Sequence, residues 1–185
     1  MIQKNIAGDQ PQIDSTAFVD PSAVIIGRVT IGANTYIGPG VVLRADRFTT
    51  IDEISKIKIG SNCSIQDLAV IHCRAETPIV INDDTSISHG VIIHGFTIIG
   101  RSCFVGARSV ITNSMIEDFV YIRSNAIIEN VHLTQESFVP NNTLLESPDM
   151  TIGLRKITAR EKEFIVKCVA ENREFALRYK YSLAD

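Results

Sequence analysis

The sequence predicts an all-β chain: a parallel β-helix of about seven coils, closed by one C-terminal α-helix. Three observations carry this. Ile, Val or Leu returns at every sixth residue, as in Ile13, Val19, Ile25, Ile31, Ile37 and Leu43, then Ile59, Ile65 and Ile71, then Ile81, Ile87, Ile93, Ile99, Val105 and Ile111. A small or β-branched residue usually follows four positions later: Ala17, Ala23, Val29, Thr35, Val41, Cys63, Ala69, Thr85, Val91, Thr97 and Cys103. Beyond residue 157 the period changes to that of a helix.

A period of six suits neither a helix nor a hairpin sheet. It suits a solenoid in which each hexad is one short strand and a turn, and three hexads close a triangular coil. The anchor and the small residue point into a prism too narrow for large side chains. Coils stack at the strand spacing of about 4.8 Å. A sandwich of alternating strands would not hold one phase for so long. The phase continues through Ile116, Ile122, Ile128, Leu133, Val139 and Leu145. Two interruptions read as loops, an extruded one from Thr49 to Lys58 and a shorter one around Glu76 to Val80.

The chain divides into a prism over residues 1–150 and a linker with the terminal helix over residues 151–185. Thr158-Ala159-Arg160-Glu161 is a capping box that starts a helix. Ile165, Val169, Asn172, Ala176 and Tyr179 recur on one side of it, which predicts a helix from about Thr158 to about Lys180 packed along the prism. Residues 146–157 connect the two parts.

With 185 residues there is enough chain for one continuous core. The net charge of −3 and the isoelectric point near 5.8 give no reason to expect nucleic acid or an anionic membrane as partner. No stretch is apolar for long enough to span a bilayer and no leader precedes the repeat, so a cytoplasmic protein is expected. Of four cysteines, Cys63 and Cys103 occupy inward slots and read as buried thiols, not a disulfide framework.

The histidines can be placed by counting. Let Leu43, Ile71 and Ile93 mark face A, Ile59 and Ile81 face B, and Ile65 and Ile87 face C. His72 and His94 each follow a face A anchor, so they stack one coil apart, with Arg44 in the same slot one coil below. Two imidazoles at that spacing can share a metal with Zn–N distances of about 2.0–2.1 Å. His89 falls two residues after Ile87, on face C, one coil above Asp67. It does not reach the pair on its own chain. In a three-fold assembly, face A of one subunit can oppose face C of the next, which completes a His₃ site at each interface and brings Gln66 and Asp67 towards Arg44. His132 lies outside this pattern and reads as structural.

Arg44-Ala45-Asp46, Gln66-Asp67, His72, Ser88-His89-Gly90 and His94-Gly95 stand in the order found in the γ-class carbonic anhydrase family, which this chain resembles over almost its whole length. The resemblance implies a left-handed β-helix and a homotrimer. It implies Zn²⁺, with Fe²⁺ or Co²⁺ in some members, held by His72, His89 and His94 from two subunits. The implied reaction is reversible hydration of CO₂ to bicarbonate by a metal-bound hydroxide. Gln66 would hold that hydroxide, while Arg44, Asp46 and Asp67 would orient the site and the interface. Asn172 falls where some members place an asparagine near the metal. Glu76 is the nearest counterpart of a proton-shuttling glutamate. Arg47 replaces an acidic residue found in some members, and with the loop differences it implies slow proton export.

Other readings remain open at this stage. The same metal site would serve an acyl-CoA thioesterase-like homologue. A hexapeptide acyltransferase is disfavoured by three motif histidines beside Gln-Asp, and a non-catalytic scaffold by the lack of an appended domain.

Overall fold

The computed structural model describes residues 1–46, 56–74 and 77–182. The chain winds as a left-handed parallel β-helix of about seven coils. Among the described residues, 22 short strands form three parallel sheets of eight, seven and seven strands. Sheets A, B and C are the three faces, visited in turn by every coil. Equivalent residues of successive coils lie opposite one another, as with Leu43, Ile71 and Ile93 in sheet A.

The anchors fill the prism. Ile25, Leu43, Ile71, Ile93, Ile111 and Ile128 are fully buried in sheet A, with the other two sheets supplying Ile59, Ile81, Ile99, Ile65, Ile87 and Val105. Each such burial stabilises by about 1.5–3 kcal/mol before conformational entropy is charged against it. The small-residue slot is buried at every described position from Ala17 to Cys103. Its polar members satisfy corner backbone groups. Thr35 Oγ1 donates to the Gly60 carbonyl (2.8 Å) and accepts from the Cys63 amide (3.2 Å). Thr85 repeats this with Gly100 (2.9 Å) and Cys103 (3.1 Å). Burial pushes the Cys63 and Cys103 thiols up to about 12, so both stay neutral, and no described cysteine is in a disulfide.

Both expected loops end earlier than the sequence suggested. Strands begin at Ile57 rather than after Lys58, and at Ile79 rather than after Val80. Ile57 and Ile79 pair with Val29 and Thr97 and point inward. They occupy the slot that small residues fill elsewhere, and their bulk masks the repeat. The rest of the first loop, residues 49–55, lies outside the described residues.

The terminal helix α1 spans Ala159–Ser182, two residues beyond the expected end. Its capping box forms as read: the Glu161 amide donates to Thr158 Oγ1 (3.2 Å), and the Thr158 amide donates to Glu161 Oε2 (2.7 Å). Arg155 donates two hydrogen bonds to the same carboxylate and holds Glu161 down at about 2. Between prism and helix lie a short 3-10 helix, Pro148–Thr151, and a bridge from Lys156 to Ser137.

Helix α1 packs on sheet C. Ile165 and Ala176 are fully buried beneath it, and two aromatic clusters clamp it. Phe175 and Tyr179 sit on Phe18 and Tyr36, while Phe164 sits on Phe104 and Tyr121. Among the described residues, no helix covers sheet A in this way. Its outer surface carries one aliphatic residue per coil, in register from Val24 through Val42, Val70, Ile92, Val110 and Ile127 to Leu144. Ile92, Ile127 and Leu144 are exposed.

Candidate metal centre

The strands Val42–Ala45, Val70–His72 and Ile92–His94 set Arg44, His72 and His94 in one outward ladder of sheet A. The His72 and His94 ring centroids are 5.2 Å apart, with the planes inclined by 37°. Directly after His94, Gly95 takes a left-handed φ of +71°, and a Cβ there would fall 2.2 Å from Asn113 Oδ1. That corner therefore requires glycine to turn the chain out of sheet A.

Arg44 donates to Asp46 Oδ2 from Nη2 (2.6 Å) and Nε (3.2 Å). The other carboxylate oxygen, Asp46 Oδ1, lies 3.8 Å from His72 Nε2, is buried, and accepts no hydrogen bond among the described residues. Within one protomer Arg44 thus pairs with Asp46.

His89 sits at the corner where sheet C turns into sheet A, not on the flat of face C where counting put it. The strand Ser86–Ile87 ends before it, and Gly90 beyond it turns the chain with a φ of +64°. Asp67 is one coil below, its carbonyl accepting from the Gly90 amide (2.9 Å) and its Oδ2 lying 3.5 Å from His89 Nδ1. The His89 side chain is 60% exposed. Among the described residues of one protomer, no three histidine, cysteine or acidic side chains group closely enough to hold a metal.

Gln66 and Asn172 are brought together from distant parts of the chain. Gln66 Nε2 donates to Ser64 Oγ (2.6 Å) and to Asn172 Oδ1 (3.3 Å), and Asn172 Nδ2 donates to Ser86 Oγ (3.2 Å). The two serines extend the site beyond the residues expected from sequence. Their signal is periodic: the position before each face C anchor is aromatic in other coils and serine in these two. Glu76 and Arg47 lie outside the described residues. His132, on sheet B, is 2.7 Å from Glu117 Oε1 and apart from the ladder.

A family described as bacterial transferase hexapeptide (six repeats) matches residues 11–45. The carnitine operon protein CaiE of Salmonella agona is 32% identical over 177 residues, covering 95% of this chain and 82% of that protein. The chain belongs to the hexapeptide-repeat family that includes CaiE. Within this hexapeptide-repeat family, similarity extends to the carboxysome assembly protein CcmM of a Nostoc species, 30% identical over 185 residues. That match takes in 95% of this chain and only 32% of CcmM, so the chain spans about a third of that relative. Among solved structures, a hexapeptide transferase family protein from Anaplasma phagocytophilum superposes with a TM-score of 0.71 at 28% identity, over 97% of this chain and 98% of that one. No helix among the described residues is long and apolar enough to cross a membrane.

Proposed function

We propose that this hexapeptide-repeat protein is a homotrimeric, metal-dependent carbonic anhydrase of the γ class, hydrating CO₂ reversibly at sites between subunits. The observation that carries the reading is the stacked His72–His94 pair, its rings 5.2 Å apart, with the buried Asp46 Oδ1 beside it. The donor set fits a divalent metal: imidazole suits zinc, iron and cobalt, and a neutral set of three leaves the ion's charge intact. His72 and His94 would hold it from one subunit and His89 from the next. A bound metal of this kind lowers the pKa of a ligated water to near 7.

The protein's own groups fit supporting tasks. Asp67 beside Nδ1 of His89 favours the tautomer with its proton there, which leaves Nε2 as the ligating nitrogen. Arg44 neutralises Asp46 and fixes that carboxylate against His72. Gln66 has both Nε2 contacts committed to Ser64 and Asn172, so its Oε1 is the acceptor left to receive a proton donor at the reacting centre. The aliphatic stripe of sheet A is the surface that would close against a neighbour. Its position beside the histidine ladder supports an interface there, and cyclic closure makes the contact heterologous. Glu76 would export the proton, as the resemblance implies.

A second reading, an acyl-thioester hydrolase on the same residues, draws support from the space beside Gln66, which exceeds the needs of CO₂. Stopped-flow CO₂ hydration on protein loaded anaerobically with Zn²⁺, Fe²⁺ or Co²⁺ tests the first reading. Loss of turnover in His94→Ala is expected. Equal rates with and without metal would overturn it.

A further inference from the structure

Sheet C has an outward column in strict register: Phe18, Tyr36, Ser64, Ser86, Phe104, Tyr121 and Phe138. Five of these are aromatic, and four of the five (Phe18, Tyr36, Phe104 and Tyr121) make ring contacts with α1. The two serines occupy the coils whose sheet A strands carry His72 and His94. Where the rings are missing, α1 meets the sheet through Asn172, which bonds Gln66 and Ser86. Beside that contact lies an open chamber of about 410 Å³, with Ile87, Phe104, Phe164 and Phe175 on its walls, Gln66, Asn172 and Ser86 along one side, and His89 at its mouth.

We propose that this chamber is a binding site for a short, uncharged carbonyl compound, an amide or ester of a small acyl group, held against Asn172. The inference rests on the reading of His72, His89 and His94 as the reacting centre only in placing the chamber beside that centre. Three features select the ligand class. The volume is in the range of small-molecule pockets, generous for a triatomic gas. Among the described residues the lining holds no lysine or arginine, and Glu171 stands on its rim, so in the metal-free protein a carboxylate or phosphate would enter without a counter-charge. The floor offers a directed donor: Asn172 Nδ2 has two protons, of which one goes to Ser86 and the other has no acceptor among the described residues. A carbonyl oxygen satisfies it while the acyl chain lies on the phenylalanine rings.

Ser86 is therefore specificity-determining by being small, while Ser64, outside the lining, accepts from Gln66 and holds it in place. They are buried at 3% and 0% exposure, so nothing about solvent contact requires serine there.

The test uses the full-length, chelator-treated protein and fluorine-observed NMR with trifluoroacetamide as probe and trifluoroacetate as its charged counterpart. The amide is expected to bind at least tenfold more tightly than the acid. Ser86→Phe, which restores the aromatic column, is expected to weaken the amide at least tenfold. Cys168→Phe fills the chamber from the helix side and gives the same loss if Ser86→Phe does not fold. Amide binding unchanged in a folded filling variant, or acid bound as tightly as amide, overturns the proposal. Metal content is measured separately on the wild type. Amide binding in a protein that takes up no metal would sink the carbonic anhydrase reading and leave the chamber standing, and the converse result would do the reverse.

Discussion

Replacing His89 by alanine separates the subunit-bridging site from every intrachain alternative. The side chain is 60% exposed and outside the prism, so its loss should change folding stability by no more than about 0.5 kcal/mol. Its effect on metal should be large. Apparent zinc affinities of about 10–16 kcal/mol at four-ligand sites imply roughly 2.5–4 kcal/mol per ligand, or about 10²–10³ in dissociation constant. His72→Ala should lose metal to a similar degree, because His94 alone cannot replace the pair. The decisive assay mixes the two defective proteins, unfolds and refolds them together, and measures bound metal. A subunit with His89→Ala still offers His72 and His94, and a subunit with His72→Ala still offers His89. Random assembly into closed trimers juxtaposes these in about a quarter of interfaces. Metal should return to about a quarter of the wild-type stoichiometry, from near nothing in either parent. A mixture that recovers none would refute the argument that the ligands come from two chains.

The remaining predictions concern the frame around the site. Ile71→Ala empties a fully buried anchor behind His72 and should cost about 2–5 kcal/mol in urea unfolding; a value under about 1 kcal/mol would mean the prism collapses locally to fill the gap. Gly95→Ala forces a left-handed alanine against Asn113, whose Oδ1 accepts from the Phe96 amide (3.2 Å), and should cost about 1–3 kcal/mol by the same assay. Arg44→Ala leaves Asp46 unneutralised beside the ladder and should shift sedimentation equilibrium towards smaller species; an unchanged profile counts against an interface role. Glu161 titrates at about 2 when folded against an ordinary 4.5, a lowered carboxylate, so its contribution is fully present above pH 4.5 and is lost as pH falls towards 2. Helix docking, followed by tyrosine fluorescence, should loosen over that window, and Glu161→Gln should flatten the acid limb. A variant with the wild-type acid limb would remove Glu161 from the account.

What was legible in the sequence was legible through phase. A six-residue count places His72 above Arg44 and below His94, because parallel coils convert sequence register into spatial register without adjustable geometry. The same count failed at Ile57 and Ile79, where a large residue fills a slot elsewhere given to small ones; packing volume, not residue class, governs that slot. It gave His89 the right coil but the wrong part of it, since corners are set by single left-handed residues such as Gly90 and Leu68, and Leu68 gives no sequence warning of its φ of +61°. Helical spacing put Asn172 on the side facing the prism. Its height along the axis depends on the aromatic clamps, which no spacing rule fixes, and so its meeting with Gln66 required coordinates.

The two faces beside the candidate centre solve opposite problems. Sheet C hides its outer column under α1 and spends its aromatic residues on that cover, except at Ser64 and Ser86. Among the described residues, sheet A keeps its aliphatic column free of any helix from Val24 to Leu144, with the histidine ladder alongside. A protomer built only for its own stability would have every reason to continue the aromatic column and to make the outer surface of sheet A polar. The aromatic column breaks at two coils only, and the aliphatic column runs past those two and through the rest. The uncovered stripe has a use when another subunit lies against it, and the missing rings have a use when a small molecule lies under the helix. The arrangement therefore makes sense as a site assembled by association and entered from beneath α1, and disabling either element should leave the prism folded.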